Sequence, residues 1–306
     1  MDEIDPPDFQ EPFVKAVRDR SNTDRRRRSQ AGWFFLLRLN AILIVGVLAI
    51  LLWFLLSRGL RVAFSWEFVS QMPREGMTEG GILPAIVGTL LLTAVSMGVA
   101  LPLGILSAIY LSEYAKDGWL KRVIRLATNN LAGVPSVVFG LFGMALFVKG
   151  LGFGTSILAG GLTLALVALP IIIRTSEEAL RTVPRDYREA SLALGATHWQ
   201  TVRRVVLPAA ASGILTGSIL SVGRVAGETA PILFTAAAYF LPRLPDSLLD
   251  QCMALPYHLY VISTSGTQIE KSRDMAYGTA VVLLFLVLSM NLAAILLRNR
   301  FQKGRG

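Results

Sequence analysis

Apolar residues in this chain fall in long unbroken blocks, not in the alternating or 3.6-residue patterns of half-buried strands and helices. Six windows carry no Asp, Glu, Lys or Arg: Leu39 to Ser57, Gly80 to Ser112, Leu126 to Val148, Gly150 to Ile173, Val205 to Gly223 and Met275 to Leu297. A bilayer core of about 30 Å takes about 20 such residues per helix, so the pattern predicts an all-α integral membrane protein with six spans. The fifth block continues beyond Arg224 and Glu228 to about Phe240. That is too long for one straight span and lacks a polar turn for two, which predicts a broken or re-entrant helix hinged near Gly227 and Pro231. Residues 1–30 are polar, hold Pro6, Pro7 and Pro12, and end in Arg25 to Arg28. They read as a basic tail on the membrane surface. The apolar stretch from Trp33 to Leu56 is too long for a signal-peptide core and no A-x-A site follows, so residues 31–58 read as an uncleaved anchor helix.

Composition agrees with the pattern and narrows the chemistry. The chain has 306 residues, 53% hydrophobic and 17% charged, with a mean hydropathy of +0.54. Its excess of Lys and Arg, 30 against 21 acidic residues, is an orientation signal in a membrane chain. With the N-terminus inside, the inner segments hold 22 of these positives and the outer segments 7, leaving Arg224 within the bilayer. This asymmetry predicts that both termini are cytoplasmic and argues against a seventh span. One cysteine and two histidines support neither an intramolecular disulfide nor a structural zinc site. There is no Gly-Lys dipeptide for a P-loop, no H-E-x-x-H and no G-x-S-x-G, so nucleotide hydrolysis must belong to a partner and the chain is not itself an enzyme. His198 and His258 fall on opposite sides of the membrane, which leaves no histidine for a buried Ser/His dyad.

The connection from Arg174 to Pro208 is the most informative segment. Thr182 is expected to cap a helix opened by Pro184, with Tyr187, Ala190, Ser191 and Leu194 on one face. Gly195 supplies the left-handed residue that ends it, and Thr197 with Gln200 forms a capping box for the next helix, which runs through Trp199 and Val202 to Pro208. The expected product is a helix, a glycine turn and a second helix projecting from the bilayer.

Glu189, Ala190, Ser191, then Gly195, then Val205, Leu207 and Pro208 resemble the E-A-A, three residues, G, nine residues, I-x-L-P loop of ABC importer permeases, with Ser191 and Val205 as conservative departures. The resemblance implies a coupling helix, around residues 182–208, that seats in a cleft of a separate ATPase subunit. The alternative is an amphipathic helix lying on lipid, for which a glycine turn is not needed. Within that family the chain is similar to phosphate permeases of the PstA type over about residues 80–298, leaving residues 299–306 as a short basic tail. The likeness is carried by Gly81-Ile82-Leu83-Pro84 with Pro102-Leu103-Gly104 to Tyr110-Leu111-Ser112-Glu113-Tyr114, Leu131 to Ser136 with Phe139 to Gly143, Arg174-Thr175-Ser176-Glu177, and Gly223 to Pro231. The outer loop between about Leu241 and Asp274 matches poorly.

The residues themselves support that reading and its rivals. Arg224 is a basic side chain deep in an apolar segment, and Glu228 lies one helical turn on. Phosphate is a multi-oxygen anion to which a guanidinium offers a planar fork of donors, with Thr229 and amides near Pro231 as further donors. The alternative is a structural Arg224–Glu228 ion pair. Arg174 and Glu177 sit at the inner end of the fourth span, with Thr175 and Glu178 as a possible capping box; the resemblance implies that this Arg/Glu pair is among the functional charges, and the alternative is a snorkelling arginine and a helix cap. Ser136 opens the third span after Pro135, where free amides favour an anion or simply start a helix. Gly88, Gly98, Gly104, Gly140 and Gly143 are expected to let spans approach closely. The implied partners are a second homologous permease, an ATP-binding cassette ATPase dimer carrying ATP and Mg, and an extracytoplasmic phosphate-binding protein, in a bacterial inner membrane. No cofactor is expected on this chain. Other readings are an ABC permease for sulfate, molybdate or a phosphonate, a stand-alone secondary carrier, and a regulatory membrane protein.

Overall fold

The structure is a computed structural model that describes residues 11–264 and 269–303. It divides into two compact units, residues 1–55 and 56–306. Helix α1 (Glu11–Ala63) begins well before the apolar block, so residues 11–30 are helical. Its apolar residues from Trp33 to Phe54 are largely exposed, as a lipid-facing helix requires. The last turns of α1, within the second unit, meet the last span, where a Cβ on Gly59 would strike Tyr277 O, and just past the helix Phe64 packs edge-to-face on Phe285 at 5.7 Å.

A short segment follows, with α2 (Trp66–Ser70) and a two-residue hairpin in which β1 (Pro73–Arg74) pairs antiparallel with β2 (Glu79–Gly80). Helix α3 (Leu83–Ile109) then ends in a wide π-helical turn at Tyr110–Tyr114. Helix α4 (Trp119–Leu131) and helix α5 (Ser136–Gly143), the latter extended by a π turn at Met144–Gly150, are bent by 105° to each other. The charge-free window over residues 126–148 therefore crosses a bend, and α5 starts at Ser136, the residue expected to open the third span. Pro135 keeps the preceding residue out of helical conformation, and α4 has a basic face, with Lys121, Arg122 and Arg125 on one side of it. Hydropathy alone cannot separate the apolar face of such a helix from the start of a span.

Helix α6 (Ile157–Arg181) packs parallel to α3, with Gly160 beside Leu92 and Ile172 beside Gly104. Its first amides, which no helical carbonyl can reach, are taken by Thr235 O, Asp250 O and Leu248 O through the N–H groups of Ser156, Ile157 and Leu158 at 2.8–2.9 Å. Helices α7 (Arg185–Ala193) and α8 (His198–Thr201) form the inner hairpin, and a π turn at Val202–Val206 leads into α9 (Leu207–Ala226). As the sequence predicts, α9 breaks at Gly227. The short α10 (Ala230–Leu233) carries Pro231 in its first turn, and α11 (Leu255–Thr264) precedes the final span α12 (Ile269–Lys303). Among the described residues, five helices are long and apolar enough to cross a membrane, or six if the bent α4–α5 pair counts as one.

The core lies where α3, α6 and α9 pack side by side, around Leu92, Ala100, Leu164, Ala168, Ile172 and Val225. Backbones approach closely there: a Cβ on Gly104 would lie 2.6 Å from Ile172 Cγ2, and one on Gly161 2.5 Å from Val95 Cγ1. Gly88, Gly140 and Gly143 have similarly close neighbours, as expected, but Gly98 has open space beside it. A Cβ on Gly217 would strike Thr175, and one on Gly213 would meet Ala179. These contacts set the antiparallel register of α6 and α9, with Thr175 level with Gly217.

Candidate functional site: a charged pathway and an inner hairpin

That register gives the charges their depth. Arg224 is seven residues past the Thr175–Gly217 contact, so it lies about 10 Å along the helix axis from the level of Arg174. It closes the last turn of α9 before the break. Its Nε meets Glu228 Oε1 at 3.3 Å, with Glu228 14% exposed and Arg224 51% exposed. Among the described residues the two terminal nitrogens of Arg224 meet no other acceptor, so the guanidinium holds its acid through one edge and leaves the fork open. The ion-pair reading of Arg224 and Glu228 matches this geometry. Glu228 also borders a small pocket with Thr89, Thr93 and Leu164. Thr229 is half-buried at the start of α10, where its side chain makes no capping bond.

At the inner end the pairing differs from the expected one. Glu177 Oε1 accepts from Arg125 Nε at 3.0 Å and from Arg181 Nη2 at 3.0 Å, while no ion pair joins it to Arg174 among the described residues. Arg125 is 52 positions away in sequence. Arg174 lines a polar pocket with Arg125, Asn129, Glu177, Glu178 and Arg181, where three guanidiniums face two carboxylates. The expected Thr175–Glu178 capping box is absent: Thr175 lies in the interior of α6 and its hydroxyl donates to Ile171 O at 2.8 Å. Ser136 opens α5 half-buried, with Pro135 before it and no side-chain cap. No hydrogen bond or ion pair among the described residues brings Ser136, Arg174 and Arg224 together.

The inner hairpin is built largely as its residues dictate. Pro184 precedes the first turn of α7, where its missing N–H costs nothing. Thr182 does not cap α7; it ends α6, and its hydroxyl donates to Ala179 O at 2.8 Å. Gly195 turns the chain at φ +83°, in the left-handed region that a side chain disfavours. Thr197 and Gln200 form the capping box, with Thr197 N donating to Gln200 Oε1 at 2.8 Å and Gln200 N to Thr197 Oγ1 at 3.3 Å. The base is apolar, where Leu180, Val183, Val202 and Val206 pack with Ala108 and Ile109. Ser191 turns inward rather than joining the free face: its hydroxyl bonds that of Thr201 at 2.9 Å and ties the two arms together. Tyr187, Glu189, Ala190, Leu192 and Leu194 remain exposed, Leu194 at 89%. Leu207 and Pro208 start α9 directly behind the hairpin.

Two side chains of this region carry no signal in the sequence spacing. Arg188 Nη2 and Nε donate to Glu113 Oε1 and Oε2 at 2.8 and 3.1 Å across 75 positions. Glu113 is the first charge after the second apolar window and Arg188 directly precedes the E-A-S triplet, but nothing in the order of residues joins them.

Comparison with known proteins agrees with this architecture. Residues 100–305 match the family described as binding-protein-dependent transport system inner membrane component. The chain is 38% identical over 290 residues to the phosphate transport system permease protein PstA 1 of Mycobacterium tuberculosis, covering 93% of each. It is 34% identical to the probable ABC transporter permease protein YqgI of Bacillus subtilis, covering 84% of this chain and 90% of that one. In fold it is similar to a chain of an inward-facing MetNI methionine ABC transporter, at a TM-score of 0.58 and 20% identity over 72% of this chain and 95% of that chain. A bacterial alginate ABC transporter matches at 0.57 and 16% identity over 84% of this chain and 93% of that chain. With its spans broken and packed as described and its inner hairpin presented at their base, the chain belongs to the family of binding-protein-dependent transport system inner membrane components, the permeases of ABC importers.

Proposed function

We propose that this chain is one of two permease subunits of an ATP-driven importer for inorganic phosphate. The observation that carries the importer half is the hairpin of α7 and α8, turned at Gly195, capped at α8 and ending in an exposed apolar tip. A chain with no nucleotide site of its own needs such a handle, and a partner moves it only by gripping one state more tightly than the other. The docking residues are Glu189, Ala190 and Leu194, with Gly195 shaping the tip, Ser191 bracing it, and Leu207 and Pro208 passing the motion into α9. The partners are a second homologous permease, an ATPase dimer that binds ATP and Mg, and an extracytoplasmic binding protein. Both termini lie on the cytoplasmic side, as the distribution of Lys and Arg favours, with residues 31–58 as an anchor and residues 80–298 as the transport domain.

Phosphate is the substrate named for the PstA relative, and Arg224 suits it. The guanidinium stays protonated, offers paired donors, and is held by Glu228 through Nε alone. Arriving phosphate takes the free edge, with Thr229 beside it, and Glu228 keeps the charge compensated when the site is empty. Arg174, Glu177 and Ser136 line the inner exit. ATP-dependent uptake by the reconstituted complex tests the assignment. Labelled phosphate should enter and excess sulfate or molybdate should not compete; competition at equal concentration would assign the chain to another oxyanion, and uptake by this chain alone without ATP would make it a secondary carrier.

A further inference from the structure

The inner hairpin is fastened to α3 by a link outside the docking face. Arg188 uses its whole guanidinium inward: besides its two bonds to Glu113, Nη2 donates to Leu180 O at 2.9 Å and Nη1 to Val183 O at 2.7 Å and Pro184 O at 3.4 Å. The Glu113 side chain is 5% exposed and that of Arg188 21%. Ser112 adds a third bond to Glu113, at 3.1 Å. The neighbouring residue on α3 is tied as well, since Tyr114 packs edge-to-face on His198 of α8 at 4.9 Å. Both contacts fall on the wide turn Tyr110–Tyr114, a backbone form often found at functional sites.

We propose that Arg188 and Glu113 are positioning residues that carry the movement of the hairpin into α3, so that the turn at Tyr110–Tyr114 is the receiving end of the ATPase stroke. This rests on the coupling role proposed above for the hairpin. On α7, Arg188 lies about 200° around from Ala190, so the helix faces the ATPase on one side and α3 on the other. Apolar contacts at the hairpin base tolerate sliding, but a two-point guanidinium–carboxylate bond fixes both distance and orientation. With its donors taken up inside the chain, Arg188 has none left for the ATPase.

The test uses the whole transporter in liposomes and counts ATP hydrolysed per phosphate imported. Glu113→Gln keeps the shape and removes the charge. It should retain ATPase binding and hydrolysis while raising that ratio about threefold or more. In a second variant, Glu113→Cys with Arg188→Cys, a bifunctional thiosulfonate spacer of matching length replaces the link; Cys252 is buried and does not compete. Joining the cysteines should restore the native ratio, and reducing the spacer in the folded complex should raise it again, a response that a purely structural role would not give. A native ratio in Glu113→Gln, loss of ATPase binding in that variant, or a ratio unmoved by cleaving the spacer would overturn the proposal. If the wild-type complex hydrolyses ATP but imports no phosphate, the substrate assignment fails instead. A spin-label pair on α3 and α6 then decides the link without substrate: ATP should shift the distance in the wild type and not in Glu113→Gln, and equal shifts would overturn it.

Discussion

Gly195 isolates the shape of the hairpin tip from everything else in the protein. It sits at φ +83°, and a Cβ placed there would meet no atom within 4 Å. Gly195→Ala therefore adds no clash, and its whole cost is the left-handed backbone, about 1–2 kcal/mol. If that strain empties the native turn, the apparent affinity for the ATPase falls by the same factor, about 5- to 30-fold. Asparagine tolerates this conformation better, so Gly195→Asn should lose less than Gly195→Ala. The spans should not notice, because the tip packs against nothing. Gly217→Ala provides the contrast: its methyl would press on Thr175 where α6 and α9 meet, which should lower the melting temperature in detergent by several degrees. The assay pairs ATPase titration onto the reconstituted permease with thermal unfolding. An ATPase affinity unchanged by Gly195→Ala, or an asparagine variant worse than the alanine one, would refute the argument.

Other substitutions probe the remaining elements. Leu194→Asp puts a charge on the 89% exposed apolar tip and should weaken ATPase binding at least about tenfold without changing thermal stability, since hot spots at interfaces are worth about 2 kcal/mol or more; the same titration checks it. Arg224→Lys keeps the charge and loses the fork, so phosphate import should fall about tenfold while ATPase binding holds; import at the wild-type rate would remove the argument for paired donors. His258 is 1% exposed with neither ring nitrogen bonded, and burial pushes its imidazole down from 6.5 to about 4. The unfolded chain takes up that proton first, so stability is fully present above pH 6.5 and declines as pH falls toward 4, by about 3 kcal/mol. Thermal unfolding across that range should show a smaller loss in His258→Phe.

The apolar windows, the break at Gly227 and the turn chemistry of the hairpin were legible because each is local: a charge-free run, a left-handed glycine, a capping box read over four residues. The charge-free window over residues 126–148 runs across the 105° bend between α4 and α5, and only the expected start of the third span at Ser136 coincides with α5. Pro135 was the available sign of the bend. Thr182 and Thr175 have capping side chains but face carbonyls of their own helix instead, a competition that spacing does not resolve. Long-range pairing was the least accessible. Glu177 lies close to Arg174 in sequence but bonds Arg125 and Arg181, and Arg188 reaches Glu113 across the fold. Such partners are set by how helix ends meet, which only the packing of α3, α4 and α6 determines. The charge of Arg224 was legible as an anomaly in an apolar block; its half-open geometry was not.

The most direct test of the account places a single cysteine at Leu194 and asks from which side it is reached. A membrane-impermeant thiol reagent should label it in inside-out vesicles stripped of the ATPase, and adding the ATPase back should protect it. Labelling in right-side-out vesicles, or labelling indifferent to the ATPase, would contradict the claim that this permease is driven through its inner hairpin.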